Sequence, residues 1–131
     1  MQTPARPEVV TLDKPMLGQP TGARLLISTP IEVKAQLDAI PKGTERLPTD
    51  LRQELATKHQ ADATCPLTYG IFLRILAEDA LDEMQQGKSV DEVTPFWRVI
   101  DRKAPLAKKL PCGIDFITHL RTEEGLGELM A

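Results

Sequence analysis

Apolar positions in this chain cluster into short runs separated by polar, Pro-marked or Gly-marked breaks, and the spacing within each run selects its element. Residues 1–22 carry Pro4, Pro7, Pro15 and Pro20 with little apolar periodicity, the pattern of a flexible, extended arm. Gly22-Ala23-Arg24-Leu25-Leu26-Ile27-Ser28 is a short apolar run that predicts one strand. Thr29-Pro30-Ile31-Glu32 then opens a helix. Thr29 can accept from an orphan backbone N–H, Pro30 sits where its missing N–H costs nothing, and Glu32 completes a capping box. This helix is expected to bury Ile31, Val33 or Ala35, Leu37 and Ile40, and to stop at Pro41 and Gly43. A second helix is predicted from Asp50, which forms a capping-box pattern with Gln53, to His59, with Leu51 and Leu55 on one face.

After Gln60-Ala61-Asp62-Ala63-Thr64-Cys65 the chain enters its most apolar segment, Pro66 to Ala77, whose length and lack of breakers past Gly70 favour a helix over a strand. Two helices joined by a short turn are the pattern of a helix-turn-helix. Ser89-Val90-Asp91-Glu92 is a third capping-box pattern and predicts a short helix. Phe96 to Ile100 is β-prone, and Ile114 to Arg121 predicts a last helix with Ile114, Phe116, Ile117 and Leu120 as its apolar side. The fold class expected is mainly α, winged-helix-like, with a small β wing.

Composition narrows the class further. A chain of 131 residues supports one domain, and a hydrophobic content of 41% excludes wholesale disorder. No run approaches a membrane span, and the start lacks the basic, apolar, small-residue order of a secretion signal, so the expected location is cytoplasmic. Cys65, Cys112, His59 and His119 show no metal-ligand spacing, so neither a metal nor a cofactor is expected. The net charge of -3 argues against a basic DNA-binding surface, but distribution counts for more than the total. From Arg98 to Leu110, Arg98, Arg102, Lys103, Lys108 and Lys109 stand against Asp101, a local +4. Between residues 78 and 93, Glu78, Asp79, Asp82, Glu83, Asp91 and Glu92 stand against Lys88, a local -5.

Pro95-Phe96-Trp97-Arg98-Val99-Ile100 resembles the Pro-Cys-His-Arg-Val core of the O6-alkylguanine-DNA alkyltransferase family. The likeness extends from about Ile31 to Gly125. Ile40-Pro41-Lys42-Gly43 is similar to the Ile-Pro-x-Gly that closes the family's first helix, and Leu67 to Ala77 takes the place of the DNA-recognition helix. Cys112-Gly113-Ile114, Leu120 and Glu124-Gly125 match the opening and ending of the last helix. In that family the Cys takes the alkyl group from the base onto its own sulfur, helped by the His and by a Glu of the last helix. Phe96, Trp97 and, by ungapped placement, Thr118 stand at those positions here. A phenyl ring and an indole can stack on a base but cannot act as a thiolate nucleophile. The chain in this respect is most like the alkyltransferase-like proteins, which lack the acceptor Cys and bind alkylated DNA to flag it for repair.

The resemblance implies domains of 1–22 as arm and 23–131 as the alkyltransferase-like unit, with an acidic insertion near 78–93. It implies a non-catalytic monomer that binds double-stranded DNA, with a repair protein as a further partner. Pro95, Phe96 and Trp97 would line the alkyl-base pocket. Thr68, Tyr69 and Arg74 would face the minor groove, and Arg98, Lys103, Lys108 and Lys109 would hold phosphates. The recognition helix departs from the family pattern, because Leu67 stands where an intercalating Arg is expected, Ile71 and Phe72 replace Gly and Ala, and Pro48 replaces a Tyr. An alternative is a winged-helix protein-interaction module that has lost DNA binding, its partner docking on Ile71, Phe72 or residues 78–92. A third reading is alkyl transfer to a displaced thiol, Cys65 or Cys112, activated by a helix N-terminus.

Overall fold

The computed structural model describes residues 6–101 and 103–127. Four α-helices surround one apolar core, and a small three-stranded sheet closes one side. Strand β1 (Glu8–Thr11) pairs antiparallel with β2 (Arg24–Ile27), which pairs parallel with the two-residue β3 (Ala63–Thr64). The register sets Val10 opposite Leu25 and Leu26 opposite Thr64. Alternation along β2 then sends Leu26 into the main core, while Leu25 joins Leu12, Ala23 and Cys65 in a smaller cluster on the other face. Part of the Pro-rich arm is therefore an edge strand with a buried anchor, Leu12, where an extended arm was expected. Residues 1–5 of that arm lie outside the described residues.

Helix α1 (Pro30–Asp38) starts as its sequence predicts, with Thr29 Oγ1 accepting from the Glu32 N–H at 3.3 Å and Pro30 in the first turn. It buries Val33 and Leu37 but leaves Ile31 exposed, because Ile31 lies off the face those two share. Helix α2 (Pro48–Lys58) begins two residues before the expected Asp50. Pro48 occupies the first turn, where its fixed φ fits and no donor is lost, and no side chain caps that end. Leu51 and Leu55 are buried as the spacing predicts.

Helix α3 (Pro66–Gln85) is the longest element and continues eight residues past Ala77, so the first half of the acidic insertion is helix rather than loop. Its inner side carries Tyr69, Phe72, Leu73, Leu76, Ala77, Ala80 and Leu81. The capping box at Ser89 and Glu92 forms around a single 3-10 turn. Residues 96–98 and 105–109 are also 3-10 turns, so the first is not the strand its residues favour and no strand of the expected β wing lies in either; their hydrogen bonds are local, as in Val99 N–H to Phe96 O at 3.1 Å. Helix α4 (Ile114–Glu123) buries Ile117 and Leu120 and ends at Gly125, whose φ of 78° lets the Leu126 N–H return to Arg121 O. No helix among the described residues is long and apolar enough to cross a membrane.

Candidate functional site

Three segments far apart in sequence meet around one carboxylate, that of Glu124 at the end of α4. Its Oε2 accepts the Trp97 indole N–H at 2.7 Å, and its Oε1 accepts the Gly43 backbone N–H at 2.8 Å. The Arg98 guanidinium lies against both oxygens, with Nε at 2.9 Å from Oε1 and Nη2 at 3.0 Å from Oε2. Arg98 Nη1 donates to Ile40 O at 2.7 Å, tying in the end of the α1 segment. The 3-10 turn is held from behind as well: Arg121 Nη1 donates to Trp97 O at 2.8 Å, and the Arg46 N–H donates to Arg98 O at 3.0 Å. Arg121 is itself buried and paired with Glu45.

The Glu124 side chain is only 3% exposed. Burial alone would raise its pKa, but hydrogen bonds from Arg98, Gly43 and Trp97, with the Arg98 charge, outweigh that and hold the carboxyl below its ordinary value. The carboxylate facing the Pro95–Ile100 frame is thus Glu124 and not position 118. Thr118 instead turns its hydroxyl to Ile114 O at 3.0 Å within α4. Sequence reasoning placed Glu124-Gly125 only as a helix ending; the pairing spans 27 residues from Trp97 and leaves no local signal.

The frame itself is sealed. Phe96 and Trp97 are both 0% exposed, packed edge to face with ring centroids 5.4 Å apart. Arg98 Cζ lies 5.7 Å from the Trp97 ring centroid, closing that side. The expectation that Phe96 and Trp97 line a base pocket is therefore corrected, since a ring without solvent-facing area has no free face for a base. Pro95 is buried but borders an open, polar cavity of about 530 Å³ that also touches Lys42, Asp91, Thr94 and Arg98.

The expected DNA-facing residues divide into separate groups. Tyr69 is buried and its hydroxyl donates to Gln36 Oε1 at 3.0 Å; desolvation pushes its pKa well above the ordinary phenol value. It therefore does not face outward toward a groove, the placement expected for it. Arg98 is spent on Glu124. Thr68 is half-buried with its hydroxyl toward Cys65 O at 3.4 Å, and Arg74 is exposed, bridging to Glu78 at 2.8 Å. Lys103, Lys108 and Lys109 are exposed beyond the frame, and Arg102 lies outside the described residues.

Pro111, Cys112 and Phe116 share a cavity with Leu81, Met84 and Gln85, so the lysine-bearing turn lies by the C-terminal end of α3. At 1.5 Å per residue, that end is roughly 20–25 Å along the helix from Thr68. Glu78, Asp79 and Asp82 are exposed between the two groups. The structure therefore does not assemble the expected cations into one patch.

Neither cysteine is arranged as a displaced nucleophile. Cys65 is buried, and burial pushes the half-buried Cys112 thiol up, the opposite of activation. Phe72, named as a docking residue, is buried in the core. What α3 does expose is Leu67 at 63%, Ile71 at 39% and Ile75 at 40%, one stripe at four-residue spacing, with Gly70 beside it. A Cβ built on Gly70 would meet nothing within 4 Å. Among the described residues no group of three or more His, Cys, Asp or Glu side chains could hold a metal ion. Compared with known proteins, the chain matches no family model, no curated protein and no solved structure.

Proposed function

We propose that this chain is a non-catalytic, alkyltransferase-like protein on a winged-helix-like scaffold that binds duplex DNA, with O6-alkylguanine duplex as the ligand its resemblance points to and DNA repair as its setting. The observation that carries the reading is the convergence at Glu124. Ile40-Pro41-Lys42-Gly43, the Pro95–Ile100 frame and Glu124-Gly125 each support the likeness separately in sequence, and they meet in one hydrogen-bonded cluster. Their meeting supports reading the three matches together. In place of a reaction centre the frame is a structural clasp, with Phe96 where a nucleophile would stand.

DNA contact on this reading falls to the N-terminal half of α3. Gly70 leaves the backbone open to close approach, and the exposed Arg74–Glu78 pair, worth about 0.3–0.5 kcal/mol, yields to a phosphate at little cost. The test is binding of a short duplex, with and without O6-methylguanine, from low to physiological salt, for the wild type and Arg74→Ala. Salt-sensitive binding is expected, with the slope falling by about 0.9 in the variant. No binding at low salt, or binding indifferent to salt, would overturn the proposal.

A second reading, a protein-interaction module, is favoured by the Leu67, Ile71 and Ile75 stripe and by the acidic residues that follow it. Apolar side chains so grouped on an exposed helix are ordinary at a protein interface.

A further inference from the structure

We propose that the exposed stripe of α3 is a self-association surface, on which a second copy of this chain lays its own α3 antiparallel about a two-fold axis at Ile71. The proposal rests on the protein-interaction reading and names its partner. Leu67, Ile71 and Ile75 are equally spaced about Ile71, so an antiparallel pair centred there sets Leu67 against Ile75 of the second copy and Ile71 against its own equivalent. A two-fold contact needs such a self-complementary patch.

Gly70 lies beside that axis. A glycine inside a helix costs about 1 kcal/mol relative to alanine, and here, among the described residues, nothing would crowd a Cβ at the position. Its absent side chain admits a second helix close to the backbone.

Charge fits the same register. Arg74 comes opposite Thr68 of the second copy, a neutral residue, so the two arginines do not confront each other. Glu78 and Asp79 come to the N-terminal end of the other α3. That end has no side-chain cap hydrogen bond at Cys65 and no acidic residue in its first turn, so its partial positive charge draws no compensation from the helix's own first turn. A centre displaced to Ile75 would instead bring two Arg74 side chains together near the axis and set Leu67 against Glu83.

Three turns of one helix fall short of the roughly 1,000 Å² expected of a stable interface, so the dimer belongs to the weak, concentration-dependent class. Sedimentation velocity from about 10 µM to 1 mM is the test, with a dissociation constant on the order of 100 µM expected for so small an interface. Leu67→Lys, at an exposed position, should weaken association at least tenfold while leaving the thermal melt unchanged. In a Cys112→Ser background under mild oxidation, Ile71→Cys should form an inter-copy disulfide and Leu67→Cys alone should not, whereas Leu67→Cys with Ile75→Cys should. A wild type that stays monomeric at 1 mM, association indifferent to Leu67→Lys, or ready bridging by Leu67→Cys alone would each overturn the proposal. Duplex binding measured on the same Leu67→Lys protein separates this from the DNA reading. An added cation on a DNA face raises duplex affinity, so monomers at every concentration with that gain would leave DNA as the occupant and overturn self-association.

Discussion

Replacing Glu124 by alanine should destabilise this protein strongly, and the size of the loss can be worked from the contacts. The carboxylate neutralises Arg98, whose side chain is only 11% exposed, and accepts the donors of Trp97 and Gly43. Breaking a buried pair by removing one partner costs about 3–5 kcal/mol, because the remaining charge is left without compensation. The orphaned donors add to this, but water entering the space recovers part of their loss. A net of about 4 kcal/mol is a large share of the 5–15 kcal/mol typical of a domain. For a chain between the sizes on which such shifts are scaled, it corresponds to a fall of roughly 12–20 °C in Tm.

Urea unfolding followed through Trp97, the single tryptophan, reads the same cluster directly. Glu124→Gln keeps one acceptor oxygen, sets an amide NH2 against the second of the Trp97 and Gly43 donors and leaves Arg98 without its counter-charge, so it should lose most of what Glu124→Ala loses. A loss below about 1 kcal/mol in Glu124→Ala would refute the view of the frame as a clasp. The pH dependence supplies an independent check. Glu124 titrates lower folded than unfolded, so its contribution is present above the unfolded carboxyl pKa and is lost as pH falls through the folded value. Wild-type stability should therefore drop on acidification from about pH 5 downward more steeply than that of Glu124→Gln.

Two further outcomes follow from single residues. Gly70→Ala should raise stability by about 0.8–1 kcal/mol in thermal or urea unfolding, since a Cβ meets open space there, and should weaken whatever ligand approaches the backbone of α3. Tyr69, the only tyrosine, should show no native phenolate absorbance at 295 nm up to the onset of alkaline unfolding. Its folded pKa lies above the unfolded one, so stability is complete below about pH 10 and is lost as pH rises beyond it.

Local signals proved legible where one residue acts on its own backbone. The Thr29 cap, the Ser89–Glu92 box, the strand at Arg24–Ile27 and the closing helix stand close to where the pattern predicts them. Pro48 displaced Asp50 as the start of α2 because a proline fits the first turn regardless of what a later cap offers. Phe96 to Ile100 has strand-forming residues, but contacts to Glu124 and Arg121, both distant in sequence, hold it as a turn. The frame's chemical identity was readable as letters, whereas its burial was not. Trp97 and Tyr69 could serve equally as platforms or as core, and only the packing of α1, α3 and α4 decides the matter. Of the residues read as DNA-facing, Arg74 remains exposed, while Arg98 is consumed internally.

The edge strand β1 carries a practical consequence for anyone handling shortened forms of the protein. Trimming at residue 22, the boundary that the prolines suggest, would strip β2 of its antiparallel neighbour and uncover a row of unpaired N–H and C=O groups beside Leu25. A bare edge of that kind templates strand addition from other chains. Such a trimmed protein should retain its helices yet precipitate, and its poor behaviour would reflect a lost seam of hydrogen bonds rather than a failure of the core to fold.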